Sequence, residues 1–250
     1  MDKWVIYLFV FVGGAIIGSF LNVVIYRVPR GLSIIYPSSR CPYCKTPIKP
    51  IYNIPLLGWL ILKGKCKECS HPIPIRYPII ELIGGVLAVL VYWRSGELTI
   101  FTLIIFAIFA TLLALSVIDL DYKAVPDSLN LLALTLSFFS SPAVIDNFIN
   151  ALLLVGGVSL LRFYTSFLVG RETLGEGDII VAGTMGGLLG VKLALVAVVV
   201  GAGLALLPSL YHRLIKEEME LPFIPFLALG TFLVWLFQPQ FLQLWSRLYG

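Results

Sequence analysis

Trp4-Val-Ile-Tyr-Leu-Phe-Val-Phe-Val-Gly-Gly-Ala-Ile-Ile-Gly18-Ser-Phe-Leu-Asn22-Val-Val-Ile25 is an apolar run without a charged side chain. A bilayer-spanning helix needs about 20 such residues, so this stretch reads as a first membrane crossing. A polar segment, 27–77, follows it. Further apolar runs lie at 78–93, 98–118, 128–145, 148–169, 179–191, 193–211 and 222–237, with Ser140-Ser141-Pro142 interrupting the fourth. The expectation is an all-α polytopic membrane protein of about eight transmembrane helices. Composition agrees: hydrophobic residues make up 59% and charged residues 13%, against about 25% charged in soluble domains. The net charge of +4 is no sign of nucleic acid here, because basic residues in a membrane protein mainly set orientation. Met1-Asp-Lys3 is too short and weakly basic for a cleavable leader, and the apolar run behind it is long enough to span. No repeat of fixed period and no low-complexity segment stands out.

Lysine and arginine orient the chain. Segment 27–77 holds nine: Arg27, Arg30, Arg40, Lys45, Lys49, Lys63, Lys65, Lys67 and Arg76. Placed in the cytosol, it brings 119–127, 170–178 and 211–221 with it, adding Lys123, Arg171, Arg213 and Lys216. Lys3, Arg94, Lys192 and Arg247 fall on the opposite face. Thirteen against four predicts a cytosolic loop after the first helix and both termini outside.

That loop carries every cysteine, as Cys41-Pro-Tyr-Cys44 and Cys66-Lys-Glu-Cys69, with 21 residues between the pairs. Two such knuckles can converge four thiolates on one tetrahedral zinc, a closed structural site with no open position for catalysis. A reducing cytosol disfavours disulfides, and nearby lysines favour thiolates. Two disulfides or a thiol redox pair are the alternatives. His71 is expected to be a bystander, since four cysteines fill the shell. A zinc-ribbon-like loop of this kind needs its metal, because about fifty residues with few apolar runs form little core.

Acidic residues at the membrane boundary are the second signal. The third run ends in Ser116-Val-Ile-Asp119-Leu-Asp121-Tyr-Lys-Ala-Val-Pro126-Asp127, and the sixth begins behind Gly175-Glu176-Gly177-Asp178. Asp119 and Asp178, 59 residues apart, fall on the same face of the bilayer. Two carboxylates in a poorly hydrated site cannot both ionise easily. Such a pair titrates as a unit and can activate water and protonate a departing amine. Gly175 and Gly177 allow close backbone approach. An Asp at a helix boundary is also an ordinary solvated helix end, a reading that Asp121 and Asp127 fit; Asp127 could also cap a helix. Asp121 and Glu176, with the other acids, could supply a negative subsite.

These motifs together resemble the bacterial type IV prepilin peptidases, the leader peptidase/N-methyltransferase family. The resemblance is carried by Gly18-Ser-Phe-Leu-Asn22-Val-Val-Ile-Tyr-Arg27-Val-Pro29, the two cysteine pairs, Asn53-Ile-Pro-Leu-Leu-Gly-Trp59, Arg76-Tyr-Pro-Ile-Ile-Glu81, and Pro222-Phe-Ile-Pro-Phe-Leu-Ala-Leu-Gly230. It implies catalysis by Asp119, seven residues before Pro126, and by Asp178 of Gly-x-Gly-Asp. Tyr52, Ile180 and Ile224 depart from the family pattern, which often has Asp, Lys and Gly there. The implied activity is cleavage of the basic leader of a prepilin or pseudopilin on the cytosolic side of the bacterial inner membrane. N-methylation of the new terminus with S-adenosylmethionine follows. Residues 1–95 would carry methylation and 96–250 a six-helix peptidase core. Asn22, Arg27, Arg76 and Glu81 are candidates for methyl-donor or substrate contacts; the plainer reading is interhelical glue for Asn22 and boundary anchors for the arginines.

Three other readings stand beside this one. A presenilin-like intramembrane protease also uses Gly-x-Gly-Asp, but the cysteine loop and the Asp119–Pro126 spacing speak against it. A zinc-ribbon membrane scaffold would tolerate loss of both aspartates. A transporter expects charges near mid-bilayer, whereas here nearly all lie at helix ends.

Overall fold

The computed structural model describes residues 3–170, 172, 174–211 and 222–249. The connection 212–221, with Arg213 and Lys216 of the charge count, lies outside the described residues, as does Arg171. Among the described residues the α-helices are α1 (Lys3–Arg27), α2 (Leu57–Ile61), α3 (Arg76–Ser95), α4 (Ile100–Tyr122), α5 (Asp127–Phe138), α6 (Val144–Val169), α7 (Glu176–Tyr211), α8 (Ile224–Leu236) and α9 (Gln238–Tyr249), with no strand and a largely irregular loop between α1 and α3. Five of them (α1, α3, α4, α6 and α7) are long and apolar enough to cross a membrane, and α8 is a shorter apolar helix. The chain divides into two compact units, 1–97 and 98–250.

The first unit is an antiparallel hairpin of α1 and α3 with the cysteine loop between them. Lipid tails are as apolar as the side chains, so burial alone does not drive two such helices together; close backbone approach does. Gly14, Gly18 and Gly84 provide it. A Cβ built on Gly18 would lie 2.8 Å from the Glu81 Cα and the Ile80 carbonyl oxygen, and one on Gly84 would lie 2.7 Å from the Gly14 carbonyl oxygen. Tyr7 and Tyr92 close the far end edge to face, and at the near end the Asn22 amide donates to the Tyr77 carbonyl at 3.1 Å. The sequence reading of Asn22 as interhelical glue is what its contacts show.

In the second unit, α4 ends at Lys123, which takes the left-handed conformation (φ 50°) and donates its amide to the Asp119 carbonyl. α8 packs against α4 in the opposite sense: Asp119 meets Ile224, while the Phe109 and Phe232 rings stand edge-on at 5.1 Å. The fourth apolar run needs correction. Its helix stops at Phe138, Ser140-Ser141-Pro142 lies in the turn, and Val144 and Ile145 already belong to α6. Proline cannot donate to a continuing helix, and the serine hydroxyls bond locally: Ser140 Oγ donates to the Ser137 carbonyl, and Ser141 Oγ accepts from the Asn147 amide.

The sixth and seventh runs are the two halves of α7. Gly190 breaks the helical path at φ 74°, ψ 159°, a conformation essentially restricted to glycine. The first half runs in step with α5, placing Gly183 on Leu134 and Gly187 on Ser137. The second half runs against α8, with Gly201 on Phe226 and Gly230 on Ala197. Residues beyond Gly190 therefore return towards the end of the unit that holds Asp119.

Gly18→Val should cost about 1–3 kcal/mol of stability through overpacking, read as a lower Tm in detergent. Gly13→Val, in the same helix but facing open space, should stay within about 0.5 kcal/mol. Equal losses at both positions would contradict glycine-mediated packing of α1 on α3.

Candidate active site and metal centre

The cysteine loop is built from two copies of one turn. Cys41 donates its amide to the Thr46 carbonyl and accepts from Lys45; Cys66 does the same with His71 and Ser70. The residue after each second cysteine, Lys45 and Ser70, takes a positive φ (61° and 56°). Each turn is closed by one isolated β-bridge, Arg40 with Pro47 and Lys65 with Pro72. Ile48 and Ile73 then donate to Ser39 and Gly64. The underlying sequence repeat is Cys-x-x-Cys-x-x-Pro-Ile, at 41–48 and 66–73. Its Pro-Ile half was missed in the sequence because two copies define no period.

All four cysteines are free, and their sulfurs lie within 4.8 Å of one another. Cys41 and Cys69 are 3.8 Å apart, and Cys44 and Cys66 are 3.9 Å apart. Four sulfurs each about 2.3 Å from one zinc form a tetrahedron with edges of about 3.8 Å, so the cluster fits the ion. Hydrogen bonds from the Thr46 hydroxyl and amide bring the Cys44 thiol down to about 6. Backbone amides of Cys69 and Glu68 lower that of Cys66. Cys69 is pushed up to about 11: the His71 backbone hydrogen bond opposes this, but burial and the neighbouring sulfurs outweigh it. Four adjacent thiols of this kind ionise together only when a cation shares them. His71 stacks on Tyr43, outside the cluster.

Three of the four methyl-donor candidates make hydrogen bonds to backbone. Asn22 bridges α1 and α3. Arg27 donates to the Ser33 and Pro37 carbonyls at 2.9 and 2.7 Å. Glu81, 9% exposed, accepts from the Leu56 amide at 2.7 Å. Leu56 has φ 62°, ψ −52°, a strained conformation for a non-glycine residue, and the buried carboxylate holds it there. Arg76 is half-buried at the start of α3.

In the second unit, Asp119 occupies the last turn of α4 and is 6% exposed; its Oδ2 accepts the Ile224 amide at 3.1 Å. Asp121 and Asp127 are exposed. Pro126 precedes α5, so Asp127 stands in the first turn rather than as its cap. Asp178 lies in the first turn of α7, and its Oδ2 accepts the Gly175 amide at 3.2 Å, the reach-back that closes a helix N-terminus. A side chain on Gly177 would run into Val125 at 2.7 Å, so this glycine lets the start of α7 lie against the segment that follows Asp119.

Asn130 is a further site residue that the sequence did not reveal. It is fully buried in α5 and donates to the Gly177 carbonyl at 3.0 Å. Its Oδ1 is buried with no partner among the described residues. One more Asn in an apolar run carried no signal until the fold set it beside Gly177. Arg162 of α6 pairs with Glu172 at 3.4 Å and Glu176 at 3.5 Å, so Glu176 already has a cationic partner. An open groove of about 470 Å³ lies alongside, lined by Ser159, Arg162, Phe163, Phe167, Glu172 and Ile179.

Comparison with known proteins identifies the family. Residues 12–95 match the bacterial peptidase A24 N-terminal domain, and residues 104–210 match the type IV leader peptidase family. A type 4 prepilin-like proteins leader peptide-processing enzyme of Escherichia coli O78:H11 is 34% identical over 88% of this chain and 89% of its own. A prepilin leader peptidase/N-methyltransferase of Neisseria gonorrhoeae is 34% identical over 81% of each chain. One from Dichelobacter nodosus is 32% identical over 92% of this chain and 91% of its own. No solved structure matches. The chain belongs to the type IV leader peptidase family.

Proposed function

We propose that this chain cleaves the leader peptide from type IV prepilins and related pseudopilins, with Asp119 and Asp178 as the catalytic pair, and then methylates the new N-terminus. The observation that carries the reading is that Asp119 is buried in the last turn of α4 and Asp178 lies in the first turn of α7, whose start packs through Gly177 against Val125 of the segment that follows Asp119. Backbone amides hold both carboxylates, Ile224 on Oδ2 of Asp119 and Gly175 on Oδ2 of Asp178. The ionised member takes a proton from water as the water oxygen adds to the scissile carbonyl carbon. The protonated member gives its proton to the departing amine as the C–N bond breaks. Asn130 holds the Gly177 carbonyl and so sets the turn that carries Asp178.

In this reading residues 1–95 carry methylation and residues 96–250 carry peptide cleavage; the two family matches, at 12–95 and 104–210, support that division. S-adenosylmethionine supplies the methyl group. The zinc centre is structural, since four thiolates complete its shell. The charge asymmetry of the sequence puts the zinc loop and the aspartate pair on the cytosolic side of a bacterial inner membrane.

Asp119→Asn and Asp178→Asn should each lower cleavage of a model prepilin by about 10³-fold or more, while methylation of a pre-cleaved substrate continues; mass spectrometry reads both products. Cleavage within about tenfold of the parent would remove the pair from the chemistry and favour a scaffold. Asn130→Leu keeps the volume but loses the bond to Gly177. It should cost about 1–2 kcal/mol in kcat/KM, an effect carried mainly by kcat. The purified protein should contain one zinc per chain. In Cys44→Ser and Cys66→Ser the metal content, measured by plasma emission, should fall towards zero and the Tm with it.

A further inference from the structure

Within the first unit, the loop between α1 and α3 presents an apolar face that no described residue of that unit covers. On α2, Leu57, Leu60 and Ile61 follow the i, i+3, i+4 spacing of one helix face and are 54%, 61% and 55% exposed. The opposite face is occupied: Gly58 packs on the Tyr52 carbonyl, and the Trp59 indole donates to the Ile73 carbonyl at 3.1 Å. α2 is followed directly by Lys63, Lys65 and Lys67, all exposed. Between residues 28 and 75 there are seven Lys and Arg against Glu68 alone. The charge of −2 on a four-thiolate zinc site still leaves a clear positive excess.

Two features set the height of this face. Both ends of the loop are fixed at one end of the hairpin, because Asn22 bonds Tyr77 across it. The Leu56 amide, directly before α2, bonds Glu81 at 2.7 Å. Glu81 lies five residues beyond Arg76 in the span, a rise of about 7.5 Å. Its side chain tilts back towards the helix start, which brings the contact back towards the end of the span. Interfacial helices bury their apolar face about 5–10 Å into the headgroup and acyl boundary.

We propose that α2 and the lysine turn behind it form an interfacial foot that docks the zinc loop onto anionic lipid. Leu57, Leu60 and Ile61 enter the acyl boundary, and Lys63, Lys65 and Lys67 engage lipid phosphates. This inference stands independently of the peptidase reading. The test uses the full chain in phosphatidylglycerol-containing vesicles, with a photoreactive benzophenone amino acid in place of Leu60. A second sample carries the same probe in place of Leu103, a 54% exposed residue of α4. Illumination should give the mass of the chain plus one phospholipid from both positions. Combining the position-60 probe with Lys63→Gln, Lys65→Gln and Lys67→Gln should lower its lipid adduct several-fold in phosphatidylglycerol vesicles and leave it unchanged in phosphatidylcholine. Retained zinc would show that the loop is folded. Lipid adducts at position 103 but none at 60, or a cross-link from 60 to a second protein chain, would overturn the proposal. So would a yield indifferent to the lysines.

Discussion

A backbone amide or carbonyl inside a bilayer finds no water, so every such group must be satisfied within the protein. This constraint explains why the described residues are helical and why the irregular backbone falls where it does. Helix ends expose unpaired groups, and here the ends near the candidate site are closed by acidic side chains. Asp119 takes the first amide of α8, and Asp178 takes the amide that opens α7. The carboxylates proposed for catalysis thus also seal helix termini. Their positions are fixed by backbone bonds before any substrate arrives, the preorganisation that acid–base chemistry needs.

The same constraint makes the glycines functional parts of the packing. Helices in lipid associate through close contact and hydrogen bonds, and the two units use glycine differently. In the first, Gly14, Gly18 and Gly84 bring two continuous helices backbone to backbone. In the second, Gly190 lets the chain turn back with little interruption of the helical bonding, and Gly177 lets the start of α7 lie against Val125. Moving α7 outward by the width of a side chain would part Asp178 from Asp119. The glycine next to Asp178 therefore sets how closely the start of α7 approaches the segment that follows Asp119.

Much of this was legible in the sequence, for identifiable reasons. Apolar runs are read by length, so α1, α3, α4 and α6 were placed to within a few residues, or a few more where Ser140-Ser141-Pro142 blurred the start of α6. Cysteines sit where their chemistry requires, and the four of them converge as their spacing implied. What stayed hidden depends on partners distant in sequence. Asn130 resembles any polar residue in an apolar run until Gly177 is beside it. Glu81 stood out by its charge, but its bond to the Leu56 amide is visible only in the fold. The doubled Cys-x-x-Cys-x-x-Pro-Ile turn is visible in the letters, but its Pro-Ile half gains meaning only through the matching bonds of Ile48 and Ile73.

The metal-binding loop shows how one constraint frees another. A soluble segment of its length would need its own apolar core, and its leucines and isoleucines would be drawn inside. Here two hydrogen-bonded turns converge four sulfurs on one site, and bound zinc supplies the stabilisation that a core would otherwise provide. The Trp59 ring and the Glu81 carboxylate anchor the rest. Leu57, Leu60 and Ile61 are then not required for internal packing, and they remain outside, beside the lysines. An apolar surface costs stability in water but none against lipid. A loop stapled by metal and tethered at both ends to membrane helices is therefore free to keep such a surface.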